Sequence, residues 1–495
     1  MTDETRSQYD HPLVSARLEK IDALRSAGVE PYPVKFERTA TAAELRERFG
    51  DLAPESETGE SAAVAGRLMN SRDIGSLVFG VLQDGSGRIQ LFVESERLGA
   101  GFTAFQNLDA GDWVGAEGEV ITTKRGELSI RVSSFQLLAK GLRPLPEKWH
   151  GLADVEKRHR LRYVDLLVNE QSRTTMDARI ATVSSLRDSL TRRGFVEVET
   201  PVLHNVPSGG LAHPFRTHHE ALGIDMFLRI ALELHLKRLI VGGVERVFEI
   251  GRVFRNEGVS PRHNPEFTML ELYQALADYE DMAALTEELV VEASEAVAGT
   301  TDLTYQERPL SLAAPWRRIT YFGGITDATG EPWDPTMPLE EARRLAEKAG
   351  VDPQPSWGVG KIAAEVFEAR VEPDLWEPTI VMDYPKEISP LAREHRSNPD
   401  LVERFEVIVA GNELANAFSE LNDPVEQRRR FEAQMEARAA GDTEAHPMDE
   451  DFLRALEYGM PPTGGMGLGV DRLVMLLTDQ ASIREVVLFP HLRPE

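Results

Sequence analysis

The stretch Phe248-Glu-Ile-Gly-Arg-Val-Phe254-Arg255-Asn256-Glu257-Gly258, closed by His263-Asn264-Pro265-Glu266-Phe267-Thr-Met-Leu-Glu271, constrains the fold of this chain more than any other. It reads as two strands joined by a charged loop. Side chains alternate across a strand, so Arg255 and Glu257 share one face of the first, and Phe267, Met269, Glu271 and Tyr273 one face of the second. A cation, a carboxylate, an aromatic ring and a second carboxylate on one sheet face can hold a nucleotide and an amine together. An isolated pair of this kind is more often a half-solvated hairpin, so partners must come from elsewhere in the chain.

Two further segments supply them. Gly194-Phe-Val-Glu-Val-Glu-Thr-Pro201-Val-Leu lies upstream, and Gly465-Met-Gly467-Leu-Gly469-Val-Asp471-Arg472-Leu lies near the C-terminus. In this order the three resemble motifs 1, 2 and 3 of class II aminoacyl-tRNA synthetases. The resemblance covers essentially the whole chain and reaches into the lysyl-tRNA synthetase branch. Its most specific segments are Phe227-Leu-Arg-Ile-Ala-Leu-Glu233-Leu-His-Leu-Lys-Arg-Leu-Ile-Val-Gly-Gly and Gly411-Asn-Glu413-Leu-Ala-Asn416-Ala-Phe418-Ser-Glu420-Leu-Asn-Asp-Pro. A dinucleotide-binding reading of Gly465–Gly469 fails, because no Gly-x-Gly-x-x-Gly follows a strand and no later acid is placed for a ribose.

A chain of 495 residues calls for two or three domains. No apolar run approaches the ~18 residues of a membrane span. The polar start Met1-Thr-Asp-Glu-Thr-Arg has no signal-peptide core, and there is no cysteine, so disulfides, thiolate metal sites and a cysteine nucleophile are excluded. A cytoplasmic protein is expected. The 55 basic and 82 acidic residues give a net charge of −27, which runs against the basic character usual in nucleic-acid binders. Binding tRNA needs only a local basic surface. Lys157-Arg-His-Arg160-Leu-Arg162 is one candidate, and a solvated charge run in a linker is the equal alternative.

The expected fold class is α+β: an OB-fold β-barrel followed by a class II catalytic domain built on an antiparallel sheet with helices. Residues 1–61 read as a helical extension, with Val14, Leu18, Ile21 and Leu24 on one face, Gly28 as the stop and a loop over 51–61. Residues 62–141 carry five short strands, with a helical or loop insert at 95–107 between the third and fourth. That pattern suits an OB-fold that binds single-stranded nucleic acid, or a small structural barrel. Residues 142–160 form a proline-punctuated linker and 161–495 the catalytic domain, with a helical insertion at 338–370. Ile180, Val183, Leu186 and Leu190 mark a helix ending at Gly194. In the family this helix and the strand after it build the interface of a homodimer. Residues 424–456 read as a solvated helical face.

The resemblance implies a two-step reaction. The carboxylate of lysine attacks the α-phosphate of ATP, giving lysyl-adenylate and pyrophosphate, and lysine then passes to the 3′ end of tRNA. A carboxylate is already nucleophilic, so positioning and charge neutralisation carry the chemistry. Arg255 and Arg472 take the catalytic roles. Arg255 meets the α-phosphate through its fork of donors; Glu257 accepts from adenine or orients the acceptor adenosine; Phe267 and Arg472 sandwich the adenine; His263 and Asn264 touch the outer phosphates. Glu406 and Glu413, flanking a hairpin turn at Ala410-Gly411-Asn412, match the family's Mg2+ positions, although exposed strand carboxylates are the commoner meaning of such residues. Asn416, Phe418 and Glu420 alternate on one strand, and with Gly209, Glu233, Glu271 and Tyr273 they form the lysine pocket. Its three carboxylates repel one another unless cations join them; the lysine side chain supplies one and the substrate's α-amino group another. In the barrel, Phe79 and Gln90 match the readers of anticodon uridines, with Arg72 and Glu127 at further matching positions; a core role is the alternative for Phe79.

The chain departs from the common family pattern at Ser208, His213, Glu220, Leu232, His235 and Ala417, none of them a proposed ligand. Rival readings are an aspartate- or asparagine-specific relative, a non-catalytic tRNA-binding paralogue and a protein-modifying lysine ligase. The acidic pocket opposes the first. The intact Arg255, Glu257, Glu406, Glu413 and Arg472 oppose the second, and the barrel-like region 62–140 opposes the third.

Overall fold

The computed structural model describes residues 11–146, 152, 154–207, 209, 212–439 and 448–493. Ser208 and part of the expected linker lie outside this set. The chain divides into two compact units, Met1–Leu152 and Ala153–Glu495.

In the first unit the strands Glu57–Ile74, Leu77–Gln83, Arg88–Glu94, Trp113–Thr122 and Leu128–Ala139 close into a barrel. The fifth strand lies between the third and the fourth, and the first closes on the fourth. Alternation puts Leu68, Val78, Leu82, Leu91, Val93, Val114, Ile130 and Val132 inside. The insert between the third and fourth strands is helical, Ser95–Leu98 and Gly101–Gln106, and it buries Phe102 and Phe105. The helix Pro12–Ser26 is held by buried Arg17, whose guanidinium donates to the carbonyls of Ala110, Gly141 and Arg143. One expectation fails here. The span 51–61 is not all loop, because the first strand begins at Glu57. A helix over Ala42–Phe49 was unread, although Thr41 and Glu44 form a reciprocal capping box at its start.

The second unit is built on a sheet whose strands run Arg317–Thr320, Thr379–Pro385, Asn398–Val409, Asn412–Ser419, Thr463–Gly469, Glu266–Ala275, Arg246–Phe254 and Val196–Glu197. All but the two outermost pairings are antiparallel. Helices Glu170–Arg192, Tyr279–Ala298 and Val470–Leu477 contribute to the core on one face, where Leu270, Leu272, Phe405, Val407, Ala415, Ala417, Met466 and Leu468 are buried. The residues between them, Met269, Glu271, Tyr273, Arg404, Glu406, Asn416, Phe418, Gly465 and Gly467, line a cleft on the other face. Ala417, which replaces a frequent glycine, points into the core, away from the cleft. The insertion at 338–370 is two helices, Leu339–Lys348 and Val359–Arg370.

One polar brace fixes the sheet to its helices. The carboxylate of Asp471, 2 % exposed, accepts from Arg179 of the long helix at 2.5 Å and from the Thr268 N–H at 2.6 Å. Arg472 follows it, so the brace sets where that guanidinium begins. Asp471→Ala leaves a largely buried arginine and a strand N–H unpaired and should cost roughly 3 kcal/mol or more. Denaturant unfolding of the variant checks this.

Candidate active site and nucleic-acid face

The cleft is ordered by strand register. Glu271 pairs with Gly467, Gly467 with Asn416, and Asn416 with Glu406, so one row crosses four strands. The next row runs Tyr273, Gly465, Phe418, Arg404. The glycines leave these rows open. A Cβ on Gly465 would run into Glu420 and lie 2.5 Å from the Tyr273 ring. Two adjoining cavities of about 260 and 220 Å3 result, and both have Arg255, Met269, Glu413 and Gly467 in their walls.

The larger cavity contains most of the expected amino-acid pocket: Gly209, Glu233, Glu271, Tyr273, Asn416 and Phe418. Glu420 lies just past the end of its strand, which stops at Ser419, but its N–H still bonds the Thr463 carbonyl and the alternation carries one residue further. Glu271 is buried. It accepts from the Leu232 N–H at 2.9 Å and the Tyr273 hydroxyl at 3.2 Å, and no cation pairs with it among the described residues. Burial, with Glu233 beside it, pushes its carboxyl up to about 7.

Besides the two substrate cations expected from the sequence, the pocket has one of its own. Lys237, fully buried one helical turn after Glu233, pairs with Glu233 at 2.5 Å and with Glu420. Burial works against its charge, but the two carboxylates outweigh it and hold its pKa up. Lys237 went unread because a Glu and a Lys four apart usually mean an exposed helical pair. The signal was there: Leu234, Leu236, Leu239, Ile240 and Val241 leave the helix little polar surface, so a charge within it needs a buried partner.

The smaller cavity is lined by Arg255, Glu257, His263, Asn264, Phe267 and Arg472. The first strand ends at Phe254, so Glu257 sits in the loop and not on a strand face as expected; Arg255 extends the ladder by one bond to the Pro265 carbonyl. The Arg255 guanidinium lies 5.1 Å from the centre of the Phe267 ring. Arg472 donates to the carbonyl of Glu413 and approaches its carboxylate at 3.4 Å. His263 is exposed. Asn264 is buried, with its amide committed to the Glu266 carbonyl and the His491 N–H, so it holds the loop and is a poor candidate for the outer phosphates.

Glu406 accepts from Arg404 at 2.6 Å. Burial raises its pKa against the pull of Arg404, and Glu413 raises it further. Burial, and after it Glu406, likewise pushes Glu372 up to about 7. A divalent cation with oxygen ligands suits such a place. The two-residue turn between Glu406 and Glu413 has positive φ at both Ala410 and Gly411, as a tight hairpin requires. Among the departures, Leu232 supplies the N–H to Glu271, the His235 ring lies tilted against His204 with centres 4.6 Å apart, the His213 carbonyl accepts from Asn256, and Glu220 is exposed.

On the barrel, Arg72 pairs in register with Phe79, and Phe79 with Phe92, their rings 5.3 Å apart. Phe79 is half-buried and outside the core cluster, so it stands on the outer surface. Gln90 lies two residues from Phe92 on the same face, and its shielded Oε1 has no hydrogen-bond partner among the described residues. Glu127 is exposed, two residues ahead of Ser129, the register partner of Gln90.

Comparison with known proteins agrees with this geometry. The family described as tRNA synthetases class II (D, K and N) matches residues 154–493, and OB-fold nucleic acid binding domain matches residues 62–138. A lysine–tRNA ligase of Moorella thermoacetica is 54 % identical over 99 % of both chains. One from Carboxydothermus hydrogenoformans is 53 % identical over 97 % of this chain and 98 % of its own. One from Nostoc punctiforme is 51 % identical over 97 % and 88 %.

Two outcomes are expected from the site alone. The raised pKa of Glu271 costs the ligand-free fold nothing below the ordinary value of 4.5, increasingly more up to about 7, and the full amount above that. Glu271→Gln should therefore melt higher than the parent at pH 8 and alike at pH 4.5 in paired thermal scans. Phe79→Ala should weaken binding of a single-stranded RNA by about 1–3 kcal/mol, the worth of one stacked base. Its barrel should stay folded by circular dichroism, because the ring is not part of the core.

Proposed function

The chain belongs to the class II tRNA synthetases (D, K and N), and on that footing we propose that it is a lysine–tRNA ligase. It activates lysine with ATP to lysyl-adenylate and pyrophosphate, then transfers lysine to the 3′ end of tRNA. The observation that carries the reading is Glu271 with Tyr273: a buried carboxylate without a cation of its own, in the same cavity as Arg255. A substrate ammonium satisfies that carboxylate. An aspartate or asparagine pocket needs an available cation at its base. Here the basal cation, Lys237, is already held by two carboxylates.

With the ammonium end on Glu271, the substrate carboxylate can reach toward Arg255, where the two cavities join. Arg255 draws the α-phosphate toward that carboxylate and offsets charge as the new bond forms. Phe267 offers its ring to adenine, Arg472 the other face, and Glu257 and His263 line the rest of the nucleotide cavity. Asn416 and Gly209 border the substrate backbone. Glu406 and Glu413 would hold Mg2+, which neutralises phosphate charge when bound. The barrel reads the anticodon of tRNA(Lys) through Phe79 and Gln90, with Arg72 and Glu127 beside them.

The working form is a homodimer in the cytoplasm. Exposed Ile180, Val196, Val202 and Leu203, on and after the long helix and at the sheet edge, support the dimer. No helix among the described residues is long and apolar enough to cross a membrane.

Amino-acid-dependent ATP–pyrophosphate exchange across the twenty amino acids tests the function. Lysine should drive exchange strongly; arginine, and ornithine tried beside it, weakly. Exchange driven by aspartate would overturn the reading. Glu406→Gln combined with Glu413→Gln should abolish lysine-dependent exchange while the dimer sediments as before, and full activity of that variant would remove both residues from the site.

A further inference from the structure

Arg404 lines the amino-acid cavity but has no part in the proposed reaction. It stands in the row of Tyr273, Gly465 and Phe418, one row over from Asn416 and Glu406. Each nitrogen of its guanidinium donates. Nε bonds the Asn416 Oδ1 at 3.0 Å, and Nη2 the Glu406 carboxylate at 2.6 Å. Nη1 bonds the Ile388 carbonyl at 3.2 Å and the Ser389 hydroxyl at 2.9 Å. The Tyr384 ring lies against the guanidinium, its centre 4.6 Å away. The plane is therefore held from both neighbouring strands and from the turn after Pro385. A guanidinium only donates, so the Asn416 atom facing Nε is the oxygen. That fixes the whole amide, and its amino group leaves from the other corner. Nδ2 has no hydrogen-bond partner among the described residues and is not sealed away. Asn416 is part of the cavity wall, and Gly467, its register partner on the side away from Glu406, has no side chain to fill the space beside it. The free donors open onto the cavity.

We propose that Arg404 is a positioning residue: by holding the oxygen of Asn416 it turns the amide's amino group into the cavity, as a donor for the substrate's α-carboxylate. The inference rests on the lysine–tRNA ligase reading and deepens it. A free amide would offer its oxygen to a substrate ammonium as readily as its amino group to the substrate carboxylate. Asn416 alone therefore cannot tell one end of the substrate from the other. Arg404 removes that choice. Its own charge is paired with Glu406, so it supplies orientation, and attraction of the substrate carboxylate falls to Arg255 in the same cavity. Donors from Arg255 and Asn416 together hold the carboxylate in one attitude for attack on the α-phosphate.

The test compares lysine with 1,5-diaminopentane, which is lysine without its carboxylate and keeps both ammonium groups. Dissociation constants are measured on the full-length protein without ATP or Mg2+, so a change at Glu406 acts through neither nucleotide nor metal. Their ratio reports recognition of the carboxylate. Arg404→Met should weaken lysine by about tenfold, the worth of one charge-assisted hydrogen bond, and leave diaminopentane within about twofold. Asn416→Ala should lower the ratio about as much, and adding Arg404→Met to it should change the ratio by less than about threefold. Asn416→Asp keeps an acceptor for Arg404 and puts a carboxylate oxygen where the donor was. It should cost lysine about a hundredfold, since like charges then meet, while diaminopentane binds at least as well as in the parent. Equal loss of both ligands in a folded Arg404→Met, the mark of a merely structural residue, overturns the proposal. So does a fall in the ratio that persists in full beside Asn416→Ala, because Arg404 would then act by charge and not through the amide. Lysine binding kept or improved in Asn416→Asp overturns it too, by showing the amide oxygen turned to an ammonium. If Arg404→Met does not fold, Asn416→Asp decides. Failure of the underlying reading shows separately, as exchange by the parent protein with an amino acid other than lysine.

Discussion

The hydrogen-bond register of one antiparallel sheet holds the active cleft together. Because Glu271, Gly467, Asn416 and Glu406 stand in one row, the carboxylates at its two ends are set by the same ladder. A slip of one residue in any strand would turn that strand's polar residues into the core and its apolar ones into the cleft. The core prevents this: Leu272, Met466, Ala417 and Phe405 are buried on the opposite face and cannot be exchanged for their neighbours. The brace from Asp471 to Arg179 and Thr268 then joins this face to the helices and starts the turn that presents Arg472.

Charge is the second constraint. A buried cluster of three carboxylates is unfavourable unless cations balance it. The chain supplies one cation, Lys237, and leaves Glu271 without one. Burying Glu271 without a cation costs the free protein stability once the pH rises past the ordinary carboxyl value. A second cluster of negative charge gathers at Glu406, Glu413 and Glu372, where burial and mutual repulsion raise the carboxyls of Glu406 and Glu372. A net charge of −27 still leaves local cations: Arg255 and Arg472 in the cleft, and Arg72 beside Phe79 on the barrel.

Much of this was legible from period-two patterns. The alternation in Phe267, Met269, Glu271 and Tyr273, the five barrel strands and the tight turn between Glu406 and Glu413 are local signals, and they were read correctly. What escaped depended on distant partners or on the limits of an element. Glu257 leaves the strand because the ladder closes at Arg255 and Pro265. Asn264 is committed to a backbone N–H at His491, 227 positions away. Lys237 looks like half of a surface pair until Glu420, just past the strand Asn412–Ser419, is brought against it. The capping box at Thr41 and Glu44 was a local signal that passed unread.

The central claim is that Glu271 awaits a substrate ammonium. Calorimetric titration of lysine into the protein at pH 7, in buffers of different ionisation enthalpy, tests it most directly. With a carboxyl pKa of about 7 in the empty pocket, binding should release roughly half a proton per site. Lysine binding with no proton released, or with protons taken up, would contradict the account.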